Sequence, residues 1–174
     1  MITTYRLQLE IGGMLLDHHL SGLVAEDLFW APAPVHWTMH ETADGWAPDF
    51  AEVEPAPVPA ATVAWLTWHL HWWWSATLAD LRGEPAPART DVGWRPDPEV
   101  IRANLDQLRQ EWAKALAEST ETDLARPSGF PWPADAGRTR ADQFAWFGVE
   151  FAKNVSEIGQ LMLLRRAGAA TFGS

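Results

Sequence analysis

Four residues have types and spacings that could do chemistry. His69 sits inside an aromatic run, Trp65-Leu66-Thr67-Trp68-His69-Leu70-His71-Trp72-Trp73-Trp74, and Glu150, Asn154 and Glu157 recur later at i, i+4 and i+7. On a helix turning 100° per residue, those three fall within about 60° of one another. A divalent ion could take the neutral imidazole and one or two carboxylates at about 2.0 to 2.2 Å, keeping positions open for water or substrate. Such an open site lowers the pKa of a bound water or thiol and supplies a nucleophile near neutral pH. A second reading needs no metal: His69 hydrogen-bonded to Glu150 or Glu157 satisfies both partners within a core. Residue types and spacing leave both readings open.

Other histidines are weaker candidates. His36 and His40 are four apart, a spacing that pairs on a helix, but six prolines between residues 31 and 59 argue against one there. His69 and His71 diverge by about 200° on a helix, so they cannot be joint ligands. The chain has no cysteine, which excludes disulfides, thiolate metal sites and a cysteine nucleophile, so thiol chemistry would need an external thiol.

Composition narrows the partners. A formal charge of −10 with two lysines, Lys114 and Lys153, leaves no basic patch to release phosphate counterions. Nucleic acid and anionic membrane surfaces are therefore not expected partners. Residues 61–79 contain no formal charge and approach the length of a membrane span. Their tryptophans lie at the centre, however, where membrane helices carry them at the interfaces, and two histidines interrupt the run. A helix buried on several sides of a bundle fits better. The first ten residues lack the apolar core of a signal peptide, so the expected compartment is the cytoplasm.

The elements that must position these residues are helical. Residues 4–20 place Leu7, Ile11, Met14 or Leu15, and His18 at helical spacing, ended by Ser21-Gly22, and a short turn is expected at 25–29. Residues 31–59 carry no sustained period and read as a long excursion without an element. A second helix spans 60–81 with Trp65, His69, Trp72 and Ala76 on one face and Gly83 as its stop. Asp97-Pro98-Glu99 starts a third, in which Ile101, Leu105, Leu108, Trp112 and Leu116 form the cleanest period in the chain, running to residue 118. The last helix spans 139–167, with Thr139 and Asp142 as a capping box, Phe147, Phe151, Ile158 and Met162 as its apolar arc, and Gly168 as its stop. Arg165 and Arg166 would complement the negative end of its dipole. The sum is all-α: a four-helix bundle with long crossover links, one domain over residues 1–174.

The run from Trp65 to His71, the stretch from Gly22-Leu23 through Glu26-Asp27-Leu28-Phe29-Trp30 with Pro32 and Pro34, Gly45-Trp46 to Asp49-Phe50, and Glu150 to Asn154 with Glu157-Ile158 together resemble the DinB-like superfamily of metal-binding bundles. The resemblance implies a four-helix bundle with crossover connections, often a homodimer, and a metal site of typically three histidines, one from the second helix and two from the last. Relatives include mycothiol-dependent maleylpyruvate isomerases and thiol S-transferases. By position, His69 matches the second-helix ligand and Glu150 the glutamate that replaces one histidine in the isomerase-like branch. Asn154 stands where that branch has its final histidine, and an amide oxygen is a neutral, weak ligand. Glu157 is the candidate replacement.

Two functional expectations follow from this resemblance. One is a thiol-dependent transferase or isomerase using zinc, nickel or manganese and a low-molecular-weight thiol. The other is a catalytically silent bundle with a degenerate metal site that binds a small apolar ligand or a partner chain.

Overall fold

A computed structural model describes residues 1–171. Among these, four long helices form the body: α1 (Ile2–Ser21), α3 (Val63–Arg82), α4 (Pro98–Glu118) and α6 (Arg140–Thr171). Short helices α2 (Ala25–Leu28) and α5 (Glu121–Leu124) lie in the links. The protein is mostly helical, as the periodicity predicts.

The expected helix starts are present as chemistry. Asp97 Oδ1 accepts from the backbone N–H of Glu99 at 2.9 Å and of Val100 at 3.4 Å. Asp142 Oδ2 accepts from Thr139 N–H at 2.9 Å while the Thr139 hydroxyl oxygen accepts from Asp142 N–H at 3.3 Å, the reciprocal box that opens α6. Gly83 ends α3 at φ 73°, a left-handed conformation that glycine adopts without steric cost. The stop expected at Gly168 is absent, because α6 continues to Thr171. Arg165 and Arg166 are therefore short of its last turn. They reach instead to the buried Asp27 of α2 at 2.7 and 3.3 Å.

Side-chain pairings give the directions. α1 runs parallel to α6, since Tyr5 stacks on Phe144 and Arg166 donates to the Gly22 carbonyl. α3 runs antiparallel to α6, with Asp80 beside Gln143 and Trp74 against Phe147 and Phe151. α1 is antiparallel to α4, where Arg109 meets Asp17 and Arg102 meets the Leu20 carbonyl. The long links thus make crossovers, as their length permits.

One face is reversed from expectation. α1 buries Leu9, Gly12, Gly13, Leu16 and Leu20, whereas Leu7, Ile11, Met14 and Leu15 are exposed. Close approach explains the choice: a Cβ on Gly12 would stand 2.6 Å from the Phe151 ring. The side that lacks side chains admits α6, and the apolar stripe is left outward. α4 by contrast buries all five expected residues, with Trp112 stacked on Phe147 at 3.7 Å.

Residues 31–59 are also corrected. β2 (Met39–Thr42) and β3 (Gly45–Pro48) form an antiparallel hairpin, and β1 (His36–Trp37) pairs in parallel with β4 (Ala60–Ala61). Asp44-Gly45 is a hairpin signal, but strands of two to four residues are too short for alternation to stand out among prolines. The α3 indoles fasten these links to the bundle. Trp65 Nε1 donates to the Asp49 carbonyl at 2.8 Å, Trp68 Nε1 to Arg89 at 3.1 Å and Trp72 Nε1 to Pro87 at 3.0 Å. Irregular backbone carries carbonyls that no ladder satisfies, and an indole buries a large apolar surface while supplying one donor. That combination gives three of the twelve tryptophans a structural role. Among the described residues no helix is long and apolar enough to cross a membrane.

Candidate functional site

α3, α6, the β1–β4 pair and the adjoining links line an open cavity of about 680 Å³. Its aromatic walls are Trp37, Trp65, Trp73 and Trp146, and His69, Glu54, Glu150, Lys153 and Glu157 supply its charged or titratable groups. Three of the four sequence-derived candidates therefore share one cavity. Asn154 does not line it; this residue is buried in the core, 1% exposed.

His69 lies flat against Trp65, ring centroids 4.5 Å apart and planes 17° from parallel. Its Nδ1 receives the indole N–H of Trp73 at 3.1 Å. An indole nitrogen can only donate, so Nδ1 must offer its lone pair. The one proton of the neutral ring then sits on Nε2. Part of the ring edge stays open to the cavity, but the packed indoles strip most of its hydration. That desolvation, followed by the nearby Lys153 ammonium, pushes the His69 pKa down to about 3. His69 is thus a neutral group presenting an N–H.

On α6, Lys153 Nζ stands 3.7 Å from Glu150 Oε2 and 3.9 Å from Glu157 Oε1. The ammonium spans two carboxylates without a short hydrogen bond to either. Asn154 Nδ2 donates to the Glu150 main-chain oxygen at 2.8 Å and to Glu150 Oε2 at 3.4 Å. Its Oδ1 is buried without a partner.

This donor set does not fit a resident divalent ion. With Nδ1 held by Trp73, His69 has no lone pair left at Nε2. The charge between Glu150 and Glu157 is already supplied by Lys153, and the Asn154 amide is turned to its own helix. Among the described residues no three His, Asp or Glu side chains gather as a metal centre requires. Nor do His36 and His40 form a pair: His36 Nδ1 lies 3.0 Å from the Ala33 carbonyl and His40 Nε2 lies 2.7 Å from Asp49 Oδ1.

Reasoning from sequence missed Trp73 as the partner of His69, although the two are i, i+4 on one helix and that spacing was available to find it. Composition marked Lys153 only as one of two lysines, although its i+3 and i−4 spacing from Glu150 and Glu157 sets it between them. Trp146 lies four residues before Glu150 on α6, a spacing that sets the two on one face, whereas Trp37 and Glu54 come from the β1 strand and a link that no local pattern places here.

A family model described as the DinB superfamily matches residues 8–158, a span that includes His69, Glu150, Asn154 and Glu157. No curated protein and no solved structure matches the chain.

Proposed function

Because the chain belongs to the DinB superfamily, whose cavity between the second and last helices would ordinarily be read as a metal centre, we propose that here it binds a small, flat, apolar molecule without a resident metal. The observation that carries this reading is the Trp73–His69 hydrogen bond inside an indole-walled cavity. Apolar walls with a few convergent polar groups are what small-molecule sites have in common. His69 Nε2–H would donate to an acceptor on the ligand, and the stacked Trp65 keeps the ring oriented for that bond.

Quinoline, which is flat and carries one acceptor nitrogen, is a suitable first probe. It is expected to raise the melting temperature of protein purified without a histidine tag, and to do so equally with a chelator present. The competing reading is a metal-dependent transferase or isomerase acting on a low-molecular-weight thiol. Stoichiometric zinc, nickel or manganese retained by the wild type and lost in His69→Ala would establish that reading and overturn ours.

We further propose that the outward stripe of α1, Leu7, Ile11, Met14 and Leu15, pairs with a second copy of the chain. Arg6, Glu10, Asp17 and Arg109 border the groove beside Met14, a rim of both signs suited to an isologous contact. A monomer in sizing chromatography at micromolar concentration would sink this assembly.

A further inference from the structure

The charges around the cavity are unequal in a way the apolar walls do not require. Glu54, Glu150 and Glu157 contribute three carboxylates against the single ammonium of Lys153. The remaining polar wall residues, Gln160 and the His69 ring that presents an N–H, are neutral.

The aromatic walls have the same preference. An indole face carries a negative quadrupole and attracts a cation, more strongly as water is excluded. Four indoles line this one space, and of these Trp65 has a face covered by His69 and stacks on Trp37. The Lys153 ammonium, 3.7 and 3.9 Å from its two carboxylates, is held at distances longer than a charge-assisted hydrogen bond of about 2.7 to 2.9 Å. It is tethered to a half-exposed, flexible stem and can swing out to solvent. A net charge of −10 on the chain also draws cations toward the surface.

We propose that the ligand selected by this cavity is an organic cation on a flat or apolar body, and that its positive group displaces the Lys153 ammonium from between Glu150 and Glu157. This rests on reading the cavity as a small-molecule site. The ligand class is an amine, a quaternary ammonium or an alkylated nitrogen heterocycle whose apolar body also carries an acceptor for the His69 N–H. Lys153 is then a tethered stand-in for the ligand's charge, keeping the carboxylates compensated when the site is free.

Three probes of one shape separate the terms: N-methylquinolinium, a cation; 1-methylnaphthalene, its neutral isostere; and 1-naphthoate, an anion. Each is titrated calorimetrically into the full chain, with circular dichroism confirming that every variant is folded. The cation is expected to bind at least tenfold more tightly than the neutral probe, with a preference that shrinks as salt is added, and the anion to bind weakest. Glu150→Gln and Glu157→Gln should each reduce that preference severalfold, while Lys153→Met should strengthen cation binding severalfold. Equal affinity for cation and neutral isostere, or tighter binding of naphthoate, would overturn the charge selectivity and leave the apolar-ligand reading standing. Weaker cation binding by Lys153→Met would overturn the displacement. No binding of any probe by the wild type or by Lys153→Met would overturn the cation proposal, and a melting temperature unmoved by quinoline beside it would overturn the small-molecule reading as well.

Discussion

On one side of α3, His69 faces indoles and a partly compensated set of carboxylates; on the other, His71 opens onto a cavity of about 390 Å³ whose walls include Arg82, Asn104, Gln107 and Glu111. Both rings are held neutral by burial. The difference lies in whether the surrounding polar groups satisfy one another. Near His71, Arg82 donates to Glu111 at 2.6 Å and Gln107 to the other Glu111 oxygen at 3.2 Å, and these bonds hold the Glu111 carboxyl below its ordinary pKa. Those contacts tie α3 to α4 and leave little for a ligand to gain. Around His69 the carboxylates have only a distant ammonium, the imidazole N–H faces open space, and the walls are aromatic. Two histidines two residues apart thus have different uses because their neighbours differ, not because the rings do.

The contrast predicts unequal costs. Trp65→Ala removes the ring stacked on His69 and the donor that fastens Asp49, and large aromatic-to-alanine changes in cores cost about 3 to 5 kcal/mol. Arg82→Met, at a half-exposed ion pair, should cost under about 1 kcal/mol. Urea denaturation of both variants measures the gap. Comparable losses would break the comparison, since they would make the His71 side as structurally committed as the aromatic one.

Acid separates the protein from its His69 variant next. The folded ring resists protonation until about pH 3, whereas the unfolded ring takes a proton near its ordinary 6.5. Between those values the unfolded chain binds the extra proton, so stability falls as pH is lowered through that window, by at most about 1.4 kcal/mol per pH unit from this residue. His69→Gln, whose amide oxygen can still accept from Trp73, should be flatter in a difference plot of stability against pH. His71→Gln should change the slope in the same direction, because burial lowers that ring as well. A His69→Gln curve parallel to wild type from pH 6.5 to 4 would show that the His69 ring is hydrated and charged like a surface histidine.

What the sequence made legible followed from local rules. The α4 stripe from Ile101 to Leu116, the Asp97 and Thr139 caps and the divergence of His69 from His71 depend on helical geometry over a few residues, and each is found. α1 was legible as a helix but not in its orientation. Hydrophobic period marks an apolar stripe, whereas Gly12 and Gly13 decide which side can approach α6 and α4, and that depends on Phe151 and Arg109 far along the chain. The candidate site divides in the same way. His69, Glu150 and Glu157 share the cavity because helical register carried them there, while Asn154 lies on the core side of α6 with Phe151, Val155 and Ile158 and spends its amide N–H on the Glu150 carbonyl. Trp37 and Glu54 arrive on links whose path no short-range rule fixes.

The smallest expected effect bears most directly on the site. Trp73→Phe keeps an aromatic wall and deletes one hydrogen bond, so the loss of stability should be about 1 kcal/mol. Its chemical consequence is larger than its energy. Without the indole N–H, the His69 proton can move to Nδ1, leaving a lone pair at Nε2 directed to the open edge of the ring. Lys153 would still compete for the carboxylates, so Trp73→Phe should gain only weak zinc binding, and Trp73→Phe combined with Lys153→Met should gain more, each read as a zinc-dependent rise in melting temperature absent from wild type. On the other side, where His71 and Ser75 line the second cavity at the same i, i+4 spacing, Ser75→Ala should gain none, because no indole bonds that ring. If wild type responded to zinc as strongly as Trp73→Phe, the indole would not be what keeps His69 from acting as a ligand, and the distinction between the two sides of α3 would have to rest on the carboxylates and Lys153 alone.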